Sequence, residues 1–307
     1  MLTNEATNRA FEGSSTGSGA MSAAASGMLV GLIGVGIQAS LSPLMHETES
    51  AHHGLRLRYE LINVDQDRIT AQTLPQLLRN AQDQGFRGLN ITSPFKQAVL
   101  PLLDKLSDEA RAVGAVNTVL FDNGVTTGHN TDTSGWGHAF RAALPKADLR
   151  CVGLLGAGGA GAAVAHAVLR LGAQHLVVHD RDHDRATALA TALRAGHGEQ
   201  RISAEADVSA AVTQSTGLIH ATPTGMDKLP GMPMSANLLR PDLWVAEVVY
   251  FPLDTALLKA ARALGCATVD GGGMAVWQAV GAFELFTGIA PDPARMNAHF
   301  RACVASR

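Results

Sequence analysis

Gly156, Ala157, Gly158, Gly159, Ala160 and Gly161 stand in one unbroken run between an apolar stretch, residues 151–155, and a helical one, residues 162–171. No other segment of the chain restricts its fold as tightly. Gly156, Gly158 and Gly161 fit G-x-G-x-x-G, whose glycines allow a tight turn, approach of the backbone to a pyrophosphate, and close packing of helix on strand. Free amides at the start of the helix then meet the phosphate charge. The spacing alone is common, and a merely structural turn would explain it. The context narrows it: Asp180 ends the next apolar run, residues 176–179, at the distance where the fingerprint places an acid. A Rossmann dinucleotide-binding domain is therefore expected.

Asp180 also bears on which dinucleotide. A carboxylate there can accept both adenosine-ribose hydroxyls and repels a 2′-phosphate. Arg181 and Arg185 act in the opposite sense, because guanidinium groups bind phosphate well. The expectation is NAD, with NADP as the alternative and a plain solvated loop as the bland reading.

Hydride transfer between an alcohol and a ketone also moves a proton, so an acid/base group must lie beside the reacting oxygen. Residues 88–96, Gly-Leu-Asn-Ile-Thr-Ser-Pro-Phe-Lys, offer one. An apolar strand ends in small polar residues, Pro94 turns Ser93 away from helical angles, and Lys96 is delivered at the start of a short helix. Asn90 and Thr92, two apart, share a face of the strand. Asp132, in Gly-His-Asn-Thr-Asp at 128–132, is the second candidate. The bland readings are a solvated lysine for Lys96 and a helix N-cap for Asp132.

At 307 residues the chain is long enough for two cores. Strands are expected at 29–33, 57–64, 116–121 and 125–128, the last two forming a hairpin through Asp122-Asn123-Gly124, and helices at 74–81 and 136–144. Ser42 stands before Pro43 as an N-cap candidate. Further strands follow at 217–220, 243–249 and 266–269, with helices at 274–286 and 293–304. The expected fold class is α/β: an N-terminal α/β unit with a mostly parallel sheet, residues 28–131, joined by C-terminal helices in 274–307, plus the Rossmann unit, residues 132–273. Residues 1–27, rich in Ser, Thr, Gly and Ala, lack a signal peptide's basic and apolar segments and are expected to be a disordered tail.

Composition excludes rather than identifies. A net charge of -3 gives no electrostatic case for nucleic acid or an anionic membrane, and no apolar run is long enough to span a bilayer. Three scattered cysteines suggest reduced thiols and a cytoplasmic protein, and twelve histidines without ligand spacing suggest no metal. A small-molecule partner is expected, and a monomer or homodimer.

In order, these motifs resemble the shikimate dehydrogenases and the related quinate/shikimate dehydrogenases, from Gly31 to the C-terminus and leaving out only the tail. Ser40-Leu41-Ser42-Pro43 is similar to the family's paired-hydroxyl motif for the substrate carboxylate. Residues 88–96 resemble the segment bearing its catalytic lysine, residues 114–118 the one supplying Asn117, and residues 130–132 the one supplying its catalytic aspartate. Residues 221–226, with Thr222, resemble a loop near the nicotinamide. Tyr250 and Gln278 fall where the family has further substrate contacts, and Gly271 where it contacts cofactor.

The resemblance implies reversible reduction of 3-dehydroshikimate to shikimate, with quinate as a second substrate. Lys96 and Asp132 would be catalytic. Ser40 and Ser42 would hold the ring carboxylate, and Asn90, Asn117, Asp132 and Gln278 the ring hydroxyls, with Thr92 and Tyr250 as further contacts. The bland reading of Tyr250 is a core residue with its hydroxyl satisfied. Two alternatives are a same-fold dehydrogenase for an aminated shikimate analogue, and a nicotinamide-binding regulator without catalysis. Retention of both Lys96 and Asp132 argues against the second. The chain departs from the family pattern in two places. Asp180-Arg181-Asp182 resembles the NAD-using branch, where NADP-using members carry Asn-Arg-Thr. Glu47 replaces a common asparagine after His46, while Ser42 is like the shikimate-specific members.

Overall fold

The computed structural model describes residues 27–306. The tail expected at 1–27 lies, Gly27 apart, outside the described residues. The first half builds strands β1 (Met28–Gly34), β2 (Leu57–Asn63), β3 (Gly88–Ile91), β4 (Lys105–Leu106), β5 (Thr118–Asp122) and β6 (Val125–His129). Helices α1 (Ser42–His52), α2 (Thr73–Asp83), α3 (Phe95–Ala98) and α4 (Asp108–Val113) lie between them. The sheet order is β2-β1-β3-β5-β6-β4. β2, β1 and β3 run parallel, and the β5–β6 hairpin joins antiparallel to β3. Asn123 (φ 49°) and Gly124 (φ 79°) turn that hairpin, as Asn-Gly at a two-residue loop should.

Helix α5 (Asp132–Ala143) carries the chain to a second sheet. Its strands are β7 (Cys151–Leu155), β8 (His175–His179), β9 (Ile202–Ala204), β10 (Gly217–His220), β11 (Trp244–Glu247) and β12 (Thr268–Val269), all parallel in the order β12-β11-β10-β7-β8-β9. Helices α6 (Gly159–Arg170), α7 (His183–His197), α8 (Val208–Thr213) and α9 (Ala256–Ala263) cross between them. The sequence order reverses between β7 and β10, and such switch points open the crevice where dinucleotides bind. β7, β8 and β10 are nearly continuous buried aliphatic runs, as strands covered on both faces must be.

Helices α10 (Gly272–Thr287) and α11 (Pro293–Ala305) return to the first half, where Leu41, just before α1, and Met45 in it pack with Ala279, Val280, Met296 and Phe300. α10 also crosses α5 with almost no side chain between them. A Cβ on Gly135 would lie 2.7 Å from the Gln278 backbone nitrogen. Arg295 pairs with the buried Glu49 at 2.5 Å, tying α11 to α1.

The structure corrects three local expectations. Ser42 is the first residue of α1 rather than its cap; Leu41 holds the cap position and no side chain caps it. Asp132 is not a cap either, since Thr131 holds that position and Asn130 Oδ1 accepts from the amides of Asp132 (3.0 Å) and Thr133 (3.3 Å). The Rossmann helix begins at Gly159, three residues earlier than its apolar pattern suggests, because the glycines themselves form its first turn.

His46, on α1, is 1% exposed among the rings of Tyr59, Phe283 and Phe286, and neither ring nitrogen has a partner. Burial pulls its pKa from 6.5 to about 3. In that window the unfolded chain binds a proton that the folded chain refuses, so stability falls as pH falls, by about 1.4 kcal/mol per pH unit. Urea unfolding of His46→Phe should show a shallower loss between about pH 6 and pH 4 than the native chain. Parallel pH profiles would refute the assignment.

Candidate active site

Where the first sheet's strands end, a continuous set of polar side chains faces the glycine loop of the second. Lys96 reaches it from the short helix α3, whose position is set by the hydrogen bond from the Val116 amide to the Lys96 carbonyl (2.8 Å). Lys96 Nζ lies 2.6 Å from Asp132 Oδ2; the lysine side chain is 18% exposed and the carboxylate 4%. A charge-assisted contact this short, largely out of water, holds the amine in one place. A Cβ on Gly159 would stand 3.3 Å from the Lys96 Cβ, so the lysine stem runs along the start of α6.

Asp132 is aimed by Asn130, whose amide group donates to the Ala115 carbonyl (2.9 Å) while its oxygen caps α5. Beneath the pair runs a hydrogen-bonded chain that spans the sheet. Tyr59 Oη donates to Asn90 Oδ1 (2.7 Å), and burial raises its pKa. Asn90 Nδ2 donates to Thr118 Oγ1 (3.0 Å), and that hydroxyl donates to Asn117 Oδ1 (3.0 Å). Asn117 Nδ2 donates to Thr131 Oγ1 (2.9 Å), and Thr131 to the Gln278 carbonyl (3.0 Å). Ser40 Oγ donates to Ser42 Oγ (3.2 Å) at the other end.

The structure thus brings together Ser40, Ser42, Asn90, Asn117, Lys96 and Asp132. Thr92 lies at the end of β3, with its methyl over Gly34, where a Cβ would be 2.3 Å away. Gln278 presents its backbone to Thr131, and its side-chain amide donates to Ala275 in its own helix (2.9 Å). Tyr250 is 39% exposed and packs on Phe300, so it is not a core residue.

Tyr59 and Asn130 are absent from the candidates that the sequence supplies. Asn130, two residues before the acid, carries a readable Asx signal. Tyr59 carries none, because only the order β2-β1-β3 brings it beside Asn90.

The second wall is the loop itself. Gly156 has φ 110°, and a Cβ on Gly161 would be 2.0 Å from the Gly156 carbonyl oxygen. A Cβ on Gly158 would meet only Arg185, at 3.5 Å, leaving open space above the helix start for phosphates. Gly159 and Ala160 supply the first turn of α6. Asp180 Oδ2 accepts from the Ala157 amide (2.7 Å) and Oδ1 from Asp182 (3.0 Å); Arg181 and Arg185 are exposed beside it. Thr222 leans on Gly156, and Gly271 is pressed against the Val248 and Val249 carbonyls at the start of α10. These residues fit a dinucleotide. Across the opening, Lys228 Nζ donates to the Gly36 carbonyl (3.3 Å).

Residues 32–119 match the family described as the shikimate dehydrogenase substrate binding domain, and residues 271–299 the shikimate 5′-dehydrogenase C-terminal domain. Residues 151–228, with the glycine loop, match a family described as NADP oxidoreductase, coenzyme F420-dependent. The shikimate dehydrogenase (NADP(+)) of Streptomyces avermitilis is 55% identical over 272 residues, 88% of this chain and 94% of that protein. The chain belongs to the shikimate dehydrogenase family. The family's members divide on cofactor: the quinate/shikimate dehydrogenase (NAD(+)) of Corynebacterium glutamicum strain R is 48% identical over 276 residues, 89% of this chain and 98% of that one. Among solved structures, quinate dehydrogenase from Corynebacterium glutamicum in complex with NAD has a TM-score of 0.83 at 46% identity, covering 90% of this chain and 99% of that one. Shikimate 5-dehydrogenase from Thermus thermophilus in complex with NADP(H) and shikimate has a TM-score of 0.77 at 34% identity, covering 90% and 99%. No helix among the described residues is long and apolar enough to cross a membrane.

Proposed function

We propose that this chain is a dehydrogenase that reversibly reduces 3-dehydroshikimate to shikimate, taking quinate as a second substrate, with NAD(H) preferred over NADP(H). The observation that carries it is the Lys96–Asp132 pair at 2.6 Å, set against the first turn of a dinucleotide-type helix. A bound nicotinamide supplies or accepts the hydride. Lys96 holds the substrate's reacting oxygen and delivers its proton during reduction, taking it back during oxidation. Asp132 keeps the amine in place and accepts from a neighbouring ring hydroxyl. Ser40 and Ser42 anchor the ring carboxylate, Asn90 and Asn117 hold hydroxyls, and Thr92, Tyr250 and Gln278 complete the wall. Gly156 to Gly161 take the pyrophosphate, and Thr222 and Gly271 flank the nicotinamide side. Residues 28–131 with the C-terminal helices serve as the substrate unit, and residues 132–273 as the cofactor unit.

Steady-state rates with shikimate and quinate, each with NAD and NADP, test this reading; no turnover with either acid would refute it. The preference for NAD rests on Asp180, whose carboxylate stands where a 2′-phosphate would be repelled. One unpaired contact of this kind is worth about 1.4 kcal/mol or more, or about tenfold in kcat/KM. Asp180→Asn should shrink the NAD preference by about that factor. A native preference for NADP would mean that Arg181 and Arg185 outweigh the acid.

A further inference from the structure

Two fully buried ionisable residues lie beside the cofactor crevice with no role in proton transfer. His220 ends β10 and Glu247 ends β11, paired in register, and both side chains are 0% exposed. Glu247 is richly supplied with donors. Its Oε1 accepts from the Val248 (2.9 Å) and Val249 (3.0 Å) amides, and its Oε2 from the Thr255 hydroxyl (3.1 Å). His220 Nδ1 sits 2.9 Å from Oε1 and 3.0 Å from Oε2. A carboxylate only accepts, so Nδ1 must carry the hydrogen. In the tautomer whose Nδ1 carries the hydrogen toward the carboxylate, the other ring nitrogen, Nε2, is an acceptor. Nε2 lies 2.5 Å from Thr222 Oγ1, so the hydroxyl spends its single hydrogen on the ring. The Thr224 amide approaches the same oxygen at 3.3 Å.

We propose that Glu247 and His220 are positioning residues that fix the Thr222 hydroxyl as a hydrogen-bond acceptor, and that it recognises the carboxamide N–H of a nicotinamide dinucleotide. Thr222 follows β10 and lies against Gly156, on the side of the switch point opposite Asp180. The adenosine half of a dinucleotide lies toward Asp180, so the nicotinamide half passes Thr222. An oxygen whose hydrogen is already committed accepts from an amide and repels a carboxylate. The relay therefore selects nicotinamide dinucleotides over their nicotinic acid counterparts. This rests on the dinucleotide reading above.

The test is equilibrium binding, which separates the two ideas. NADH, its deamidated nicotinic acid analogue and ADP-ribose are titrated against the native chain, Thr222→Val, His220→Ala and His220→Gln. NADPH and 2′-phospho-ADP-ribose serve as a second pair. Thr222→Val and His220→Ala should each weaken the nicotinamide dinucleotide by about tenfold, the scale of one hydrogen bond, and leave the ADP-ribose fragment unchanged. They should also lose discrimination against the deamidated analogue. His220→Gln, whose amide can both donate to Glu247 and accept from Thr222, should recover most of the loss. Should His220→Ala not fold, Thr222→Val and the histidine nitrogen-15 spectrum of the native chain still decide, the spectrum being expected to show a neutral, Nδ1-protonated ring. Native-like NADH binding by Thr222→Val, equal losses for NADH and ADP-ribose, or an imidazolium or Nε2-protonated ring would overturn the relay. A native chain that binds neither ADP-ribose fragment would overturn the dinucleotide reading itself, and the relay with it.

Discussion

Lys96→Ala should lower kcat for shikimate oxidation by about 10²–10⁴-fold, the usual contribution of a positioned acid/base group, and leave dinucleotide binding within a few-fold of native. The lysine is the amine held at the strand ends, and alanine leaves Asp132 with no cation to steady. Asp132→Asn preserves shape but loses the charge, so its loss should be large and somewhat smaller. The double variant should be little worse than Lys96→Ala, because groups acting as one unit fail together. Rapid-mixing measurement of the chemical step, with separate cofactor titrations, reads both quantities. Near-normal kcat with only a raised KM in Lys96→Ala would make the lysine a binding residue, and the proton would have to come from elsewhere.

Gly161→Ala is the second variant from which a large effect is expected. Its Cβ would stand 2.0 Å from the Gly156 carbonyl oxygen, and neither atom belongs to a side chain that could rotate away. The helix must retreat from the strand by roughly an ångström, carrying its free amides away from the phosphates. Losing even one amide-to-phosphate hydrogen bond should raise the dissociation constant for dinucleotide by about tenfold or more. The residues proposed to anchor the ring carboxylate and hydroxyls, Ser40, Ser42, Asn90 and Asn117, lie in the other half, so shikimate binding measured without cofactor should persist. Native affinity for dinucleotide in Gly161→Ala would mean that phosphates do not bind here.

The cofactor half was legible in the sequence because its signals are local. A strand, a glycine run, a helix and an acid follow each other within thirty residues, from Cys151 to Asp180, and each glycine answers a steric need at its own position. The α7 helix escaped notice for the opposite reason. It buries only Ala186, Ala190 and Leu193, and two alanines make a faint apolar stripe. In the substrate half, residues 88–96 announced Lys96, yet nothing linear joins it to Asp132, thirty-six residues on. What joins them is the antiparallel seating of β5 on β3, which lines up Asn90 with Thr118 and so places the chain of amides and hydroxyls. Tyr59 and His46 became visible only with that packing. The His220–Glu247 pair likewise needed the parallel register of β10 and β11, since the two lie twenty-seven residues apart.

The bond from Lys228 to Gly36 joins residues 192 apart in the chain across the opening. Its lysine is exposed and its acceptor is a neutral carbonyl, so it is worth about 1 kcal/mol at most. A ring acid must enter and its product depart in each round. A contact that weak would act as a turnstile rather than a bolt, yielding to ordinary thermal agitation.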